Sequence, residues 1–426
     1  MTTILEQMTA DRRHLHTIPE EGWTEFETTW HIAKQLKSIG WEKILFGPEI
    51  MNRSALLGRS EEVVARGAKR AVAAGVPQNF IDEIDELTGC AVVLETGRPG
   101  PVTACRFDID CVCIAETNDP EHLPNKLGFA STHPGFMHAC GHDGHTAVGL
   151  GVARWVFEHR DSLSGTIKLI FQPAEEGARG ATAIAESGFL DDVDLILGSH
   201  VGGPTKLGEV GMLHDGMLAS TKYDIRFTGQ ASHAGNAPEK GRSALMAACA
   251  ASMMMAGIPR HGEGASRVSV GRLIAGEGRN VTPVHAQIQA EVRGVTASVN
   301  DFMCENVERI IEGCARAYDV KAEVERVGNA TTLIDCPEVF NVLREAAKSV
   351  PGVKRIVELR EPAASEDYTI MLRRVVEKGG RGAMFMWGCN HQGHHLSNFD
   401  IQDEESMPIG YGVFTEFLDR TNGSKR

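Results

Sequence analysis

Four short apolar runs, CAVVLE at 90–95, PVTACRFDID at 101–110, GTIKLIFQP at 165–173 and DLILGSH at 194–200, are interleaved with helical patterns such as HTAVGLGVARWVFEHR at 145–160. Apolar runs of strand length that alternate with helices pair most readily as a mainly parallel sheet covered by those helices, an α/β fold. The texture changes near 215. ASTKYDIRFTG, RVSVGRLIAG and HAQIQAEVRG alternate like half-exposed strands, and the Ala/Met-rich run at 243–258 and the long amphipathic run at 298–320 are helical. That order suits a small α+β domain of ferredoxin-like type inserted into the larger one. FNVLREAAKSV, YTIMLRRVVEKGG and RGAMFMWG then resume helix, helix and buried strand. The expected division is therefore 1–214 and 328–426 for a discontinuous catalytic domain and 215–327 for an inserted lid or dimerisation domain. Residues 52–88 form a surface helical insertion in the first part.

Length and charge narrow the partners. At roughly 100–200 residues per domain, 426 residues give two or three domains. Lys plus Arg is 43 against 57 for Asp plus Glu, a formal charge of −14. That balance argues against nucleic acid or an anionic membrane as the main partner. The N-terminus lacks the apolar core and cleavage pattern of a secretory signal, and no run reaches the roughly 18 apolar residues of a membrane span. A cytoplasmic protein is expected. Its ten cysteines are dispersed, so Cys111, Cys113 and Cys249 read as reduced small core residues. Cys140 stands apart.

The run MHACGHDGHTA at 137–147 sets Cys140 and His142 in a Gly-punctuated loop before a helix. Glu175 and Glu176 directly follow one strand, His200 ends another, and His394 and His395 follow MFMWGCN. In an open α/β sheet, ligands gather beyond the carboxyl ends of the strands, and here several strand ends deliver a donor type that binds metals. Any one of these histidines alone reads as structural, and EE alone reads as a charged helix start. Their agreement points to a metal centre. Two adjacent carboxylates diverge, so one can bind metal while the other faces the attacking water. His138 reads as structural, while Asp143 and His145 orient the loop and begin its helix.

In order along the chain, RFDIDCVCIAE, HACGHDGHTA, FQPAEEGARGA, GSHV, GQASHAGNAPEKGRSAL, NVTP, EVRG, SEDY and HHLSNFDIQDE together resemble the aminoacylase/carboxypeptidase-type metallopeptidases. The likeness is to their amidohydrolase branch, which holds aminobenzoyl-glutamate, auxin-conjugate and N-acyl amino acid hydrolases. The resemblance implies a site for two divalent ions, manganese or zinc, with Cys140, His142, Glu176, His200 and His395 as ligands and Glu175 as general base. His395 is chosen over His394 because the family ligand stands four residues before the Phe, here Phe399. Asp110, two residues after Asp108 on one strand face, is implied as a support of the metal site. His233 is implied as a donor to the tetrahedral oxyanion, either in its own chain's site or in the partner's site of a homodimer. Asn280 and Arg293 are implied to hold the substrate carbonyl and α-carboxylate. The insertion at 52–88 and the loop at 118–136 favour the group of aminobenzoyl-glutamate hydrolase subunits. A related second subunit is one partner such a chain could have. The substrate expected is an N-acyl amino acid, p-aminobenzoyl-glutamate first and indole-acetyl-aspartate second.

Two other classes remain. A non-catalytic metal-binding subunit would show loss of a ligand or of the base. A cysteine-nucleophile amidase using Cys140 and His142 would leave Glu176, His200 and His395 without roles. A site divided between two domains also suggests closure on substrate.

Overall fold

The computed structural model describes residues 3–360 and 364–424. By internal packing the chain divides into one unit of Met1–Gly216, Leu333–Glu361 and Asp367–Arg426 and a second of Met217–Thr332 with Pro362–Glu366. The strands in chain order are β1 (Leu45–Phe46), β2 (Cys90–Glu95), β3 (Val102–Asp108), β4 (Thr166–Gln172), β5 (Leu195–Val201), β6 (Glu209–Leu213), β7 (Ala219–Thr228), β8 (Ser266–Ala275), β9 (His285–Gly294), β10 (Lys321–Ala330), β11 (Arg355–Leu359) and β12 (Arg381–Trp387).

In the first unit eight strands form one sheet in the order β1-β2-β4-β3-β5-β12-β6-β11. The four central strands β4, β3, β5 and β12 are mutually parallel. The flanks are mixed, because β2 runs antiparallel to β4 and β6 antiparallel to β12. The sheet is thus parallel where it carries the expected donors and mixed outside, β11 pairing parallel with β6. CAVVLE, expected among the parallel strands, is one of the antiparallel ones. The central strands are buried almost throughout, which is why they appear in the sequence as continuous apolar runs rather than alternating ones.

Helix His142–His159 covers one face of this sheet. Gly149 permits the close approach: a Cβ there would lie 2.7 Å from the Phe107 ring and 2.8 Å from that of Phe171. Phe107 also meets Phe414 of helix Asp403–Asn422 at 4.8 Å between centroids. Residues 52–88 hold helices Glu61–Ala73 and Gln78–Glu83. From the first of these, Arg70 reaches the buried Glu20 carboxylate at 2.5 Å.

A buried polar knot lies at the end of β3. Arg106, 1% exposed, binds Asp108 at 2.6 Å, Asp367 at 2.9 Å and Gln172 Oε1 at 2.8 Å. Asp367 Oδ2 in turn accepts from the backbone N–H groups of Gly180 and Ala181. Arg106→Met deprives two buried carboxylates of this cation and is expected to cost about 3–5 kcal/mol. Chemical denaturation with the wild type alongside measures this.

In the second unit four antiparallel strands run in the order β10-β7-β9-β8. With the helices Ala244–Ala256 and Ala297–Tyr318 this is the β-α-β-β-α-β connectivity of a ferredoxin-like unit. Its core joins Tyr223, Ile225 and Phe227 of β7 to Ile288 of β9, Ala247 and Ala251 of the first helix and Met303, Val307 and Ile311 of the second. The expected boundary at 327 falls inside β10, whose sequence KAEVERVGNA is half exposed and carries charges on both faces. Among the described residues no helix is long and apolar enough to cross a membrane.

Candidate metal centre

Because β4, β3, β5 and β12 are adjacent and parallel, their carboxyl ends open at one edge of the sheet. Glu175 and Glu176 follow β4, Asp108 ends β3 and Asp110 lies two residues beyond it, His200 is in β5, and His394 and His395 follow β12. Cys140 and His142 arrive at the amino end of helix His142–His159, which begins three residues before the expected start at His145. That entry depends on Gly141, whose φ of 89° is left-handed and where a Cβ would lie 2.4 Å from Val201. Only glycine meets both demands without strain.

Ligand atoms of Cys140, His142 and His200 lie within 4.8 Å of one another, as do those of Cys140, Glu176 and His395 and those of His142, Glu175 and Glu176. Three sets thus overlap, two of them at Cys140. All five expected ligands and the expected base come together here.

Hydrogen bonding fixes which ring nitrogen each histidine offers. His142 Nδ1 faces Asp110 Oδ1 at 3.2 Å, and its Nε2 is buried without a hydrogen-bond partner. This is the carboxylate–histidine arrangement that presents a lone pair to a metal. His200 Nδ1 donates to the Val201 carbonyl at 2.8 Å, leaving Nε2 beside Cys140 Sγ at 3.5 Å. His145 is used up otherwise: Nδ1 binds Asp108, and Nε2 accepts from Val201 N at 2.9 Å. His394 Nε2 is spent on the Val201 carbonyl at 3.1 Å, whereas His395 Nε2 lies 3.2 Å from Glu176 Oε1. The two neighbouring histidines therefore differ in what they can ligate. His395 is held in a left-handed conformation, φ 59°, by its N–H bond to Ala139 O.

Asp110 organises the other wall. Its two oxygens accept from Glu175 N at 3.1 Å and Glu176 N at 2.9 Å. Asp143 is taken up by Arg12 at 2.9 Å and His16 at 2.7 Å and by the first turn of the helix. His138 is buried, with both ring nitrogens lacking a hydrogen-bond partner.

The electrostatics suit a cation. Burial, with His145 and His394 nearby, lowers His200 well below the usual imidazole range, so it stays neutral as a ligand must. Burial and the adjacent Glu176 raise the Cys140 thiol. Hydrogen bonds to Cys140 and Glu176 raise His395 to about 10. Glu176 lies below its usual range although burial opposes this, because His395 binds it. Orphaned buried donor atoms in a mixed Cys, His and carboxylate set fit a divalent transition metal.

The remaining candidates lie in the second unit. His233 is exposed, and its Nδ1 accepts from Gly235 N at 3.2 Å and Asn236 N at 3.1 Å, which leaves the ring proton on Nε2 as an outward donor. Asn280 is adjacent, since Ala234 N donates to its carbonyl at 3.1 Å. Arg293 is on β9 itself and is paired with Glu291 at 3.0 Å. Sequence reasoning passes over Glu25 and Arg106 and gives Asp367, within SEDY, no role.

The profile of peptidase family M20/M25/M40 matches residues 104–420. A homolog of a p-aminobenzoyl-glutamate hydrolase subunit, from Haemophilus influenzae, is 42% identical over 99% of this chain and 99% of its own. An indole-3-acetyl-aspartic acid hydrolase of Enterobacter agglomerans is 42% identical over 95% and 94%. The crystal structure of an aminobenzoyl-glutamate utilization protein from Klebsiella pneumoniae superposes with a TM-score of 0.82 at 35% identity, covering 96% of this chain and 94% of the other.

Proposed function

The chain belongs to peptidase family M20/M25/M40, and on that premise we propose that it is a metal-dependent amidohydrolase releasing a dicarboxylic amino acid from an N-acyl conjugate, p-aminobenzoyl-glutamate first. The observation that carries this reading is the overlap of the Cys140, His142, Glu175, Glu176, His200 and His395 ligand atoms at one sheet edge. Cys140, His142, Glu176, His200 and His395 would hold two manganese or zinc ions, which supply Lewis-acid polarisation and make water acidic enough to attack at neutral pH.

The chain's own groups do the rest. Glu175 takes a proton from the attacking water and returns it to the leaving amine. Asp110 fixes the tautomer of His142 and the course of the Glu175–Glu176 backbone. As the resemblance implies, His233 Nε2–H would donate to the developing oxyanion, in its own chain's site or in a partner's, Asn280 would hold the scissile carbonyl, and Arg293 would exchange Glu291 for the substrate α-carboxylate. Every acyl amino acid carries that carboxylate, so the preference for glutamate or aspartate conjugates rests on the substrates in the relatives' names.

The test is hydrolysis of p-aminobenzoyl-glutamate, indole-acetyl-aspartate and the corresponding acyl-alanines. Release of glutamate or aspartate supports the reading, and turnover of none of them contradicts it. The indole-acetyl conjugate is the alternative first substrate.

His395 and the Cys140 thiol both carry protons at neutral pH, so metal has to displace them and its affinity should rise with pH. Calorimetric titration in two buffers of different ionisation enthalpy is expected to show net proton release.

We infer a homodimer formed through the inserted unit, in the cytoplasm. The other arrangement, pairing with a related second subunit, is what the relative's name suggests. Helix Ala244–Ala256 exposes Met246 (48%), Met253 (77%) and Met254 (52%) on one face. Such an apolar stripe is costly in water. Met253→Glu is expected to shift sedimentation from dimer to monomer.

A further inference from the structure

The turn that carries the two glutamates is held by more than Asp110. Three successive backbone N–H groups each meet a buried carboxylate: Glu175 and Glu176 donate to Asp110, and Ala174 N donates to Glu25 Oε1 at 2.7 Å. Ala174 has φ 54°, a left-handed conformation that costs a non-glycine residue about 1 kcal/mol or more and persists only where its surroundings impose it. Glu25 lies in a segment pressed onto that backbone, since a Cβ on Gly22 would fall 2.8 Å from Ala174 Cα. The Glu25 side chain is 0% exposed, and its second oxygen accepts from Thr88 Oγ1 at 2.6 Å. Helix Phe26–Ile39 starts directly after Glu25, yet the carboxylate caps none of its N–H groups. Its hydrogen bonds go to the turn and to Thr88 instead.

We propose that Glu25 is a positioning residue, which through Ala174 N fixes the backbone that aims Glu175 at the reacting water. This rests on the reading of Glu175 as the base. Glu25 touches no substrate, so its effect belongs in kcat rather than KM. Displacing a reacting group by about 1 Å can cost on the order of 10²-fold in rate. A carboxamide in the same place keeps an acceptor for Ala174 N and offers a donor to the Thr88 hydroxyl, which can accept it. Burial, reinforced by Asp110, raises the Glu25 carboxyl to about 8, so glutamine is also close in charge at neutral pH.

The experiment compares Glu25→Gln with Glu25→Leu in the metal-loaded enzyme, reading kcat, KM, metal content and hydrogen exchange of the peptide spanning 172–181. The expected result for Glu25→Leu is a kcat lower by on the order of 10–10²-fold, with KM and metal content unchanged and exchange of the turn accelerated. Glu25→Gln should restore kcat to within about threefold and return slow exchange. If Glu25→Leu does not fold, Glu25→Asp, too short by one methylene to reach Ala174 N, takes its place with the same expectation. A folded Leu or Asp variant with wild-type kcat overturns the proposal even if its turn exchanges faster. Equal loss in the Gln variant also overturns it, since glutamine keeps the acceptor for Ala174 N and that hydrogen bond would then not be what matters. Exchange is read without substrate, so a wild type inactive on every acyl amino acid would fail the functional reading while leaving the link between Glu25 and the turn measurable.

Discussion

Glu175→Gln is expected to lower kcat for acyl-amino-acid hydrolysis by on the order of 10²–10⁴-fold while leaving metal content and fold unchanged. The residue is 8% exposed and sits at the sheet edge, with Oε2 4.0 Å from His142 Nε2. Glutamine keeps the volume and one acceptor oxygen but cannot take a proton from water. Its backbone N–H still meets Asp110, so the turn should not move. Stopped assays with elemental analysis of the same sample measure both quantities. A Gln variant with wild-type rate removes Glu175 from the mechanism.

His142→Ala should abolish activity and also release part of the metal, which distinguishes it from the Glu175 variant. Its Nε2 is one of the orphaned buried atoms, and His142 belongs to both the set with Cys140 and His200 and the set with Glu175 and Glu176. Metal polarisation of a carbonyl is worth several kcal/mol; at about 1.4 kcal/mol per tenfold, a loss of roughly 10³-fold or more is expected. The removal also leaves Asp110 Oδ1 without its histidine. His395→Ala should likewise lower metal content, whereas His394→Ala should not, because His394 is engaged with the Val201 carbonyl. Metal loss from the His394 variant and not the His395 variant would reverse that assignment.

The parts of this molecule legible in its sequence are those where one local pattern carries the information. Strands β3, β4, β5 and β12 announce themselves because burial on both faces makes them apolar runs, and β3, β4 and β5 each end close to a candidate site residue. Strands β1, β6, β10 and β11 escape such a reading. β1 has two residues, β11 is half exposed, and β10 carries charges on both faces at a sheet edge, so none of these three presents a sustained hydrophobic period. The candidate donors are legible in part: metal-binding residue types recur after strands (Glu175 and Glu176, His200, His394 and His395) and in the Gly-punctuated loop before a helix (Cys140, His142), whereas the choice of Glu176 and His395 within their pairs follows from the family resemblance. Glu25 is not, because nothing near it in the chain tells that its carboxylate meets a backbone N–H 149 residues away. Asp367 is hidden similarly, since its partners Arg106, Gln172, Gly180 and Ala181 come from β3, β4 and the start of helix Ala181–Ala185. Positioning carboxylates are tertiary features, and a single sequence shows only that the residue is acidic.

Amide hydrolysis at this sheet edge should stand or fall with metal held by Cys140, His142, Glu176, His200 and His395. The most direct measurement strips the protein with chelator and follows p-aminobenzoyl-glutamate and indole-acetyl-aspartate hydrolysis as manganese or zinc is added back. The expected result is no turnover in chelator and recovery that saturates near two equivalents per chain. Turnover undiminished by chelator would contradict the metal mechanism and move the chemistry to the Cys140 thiol.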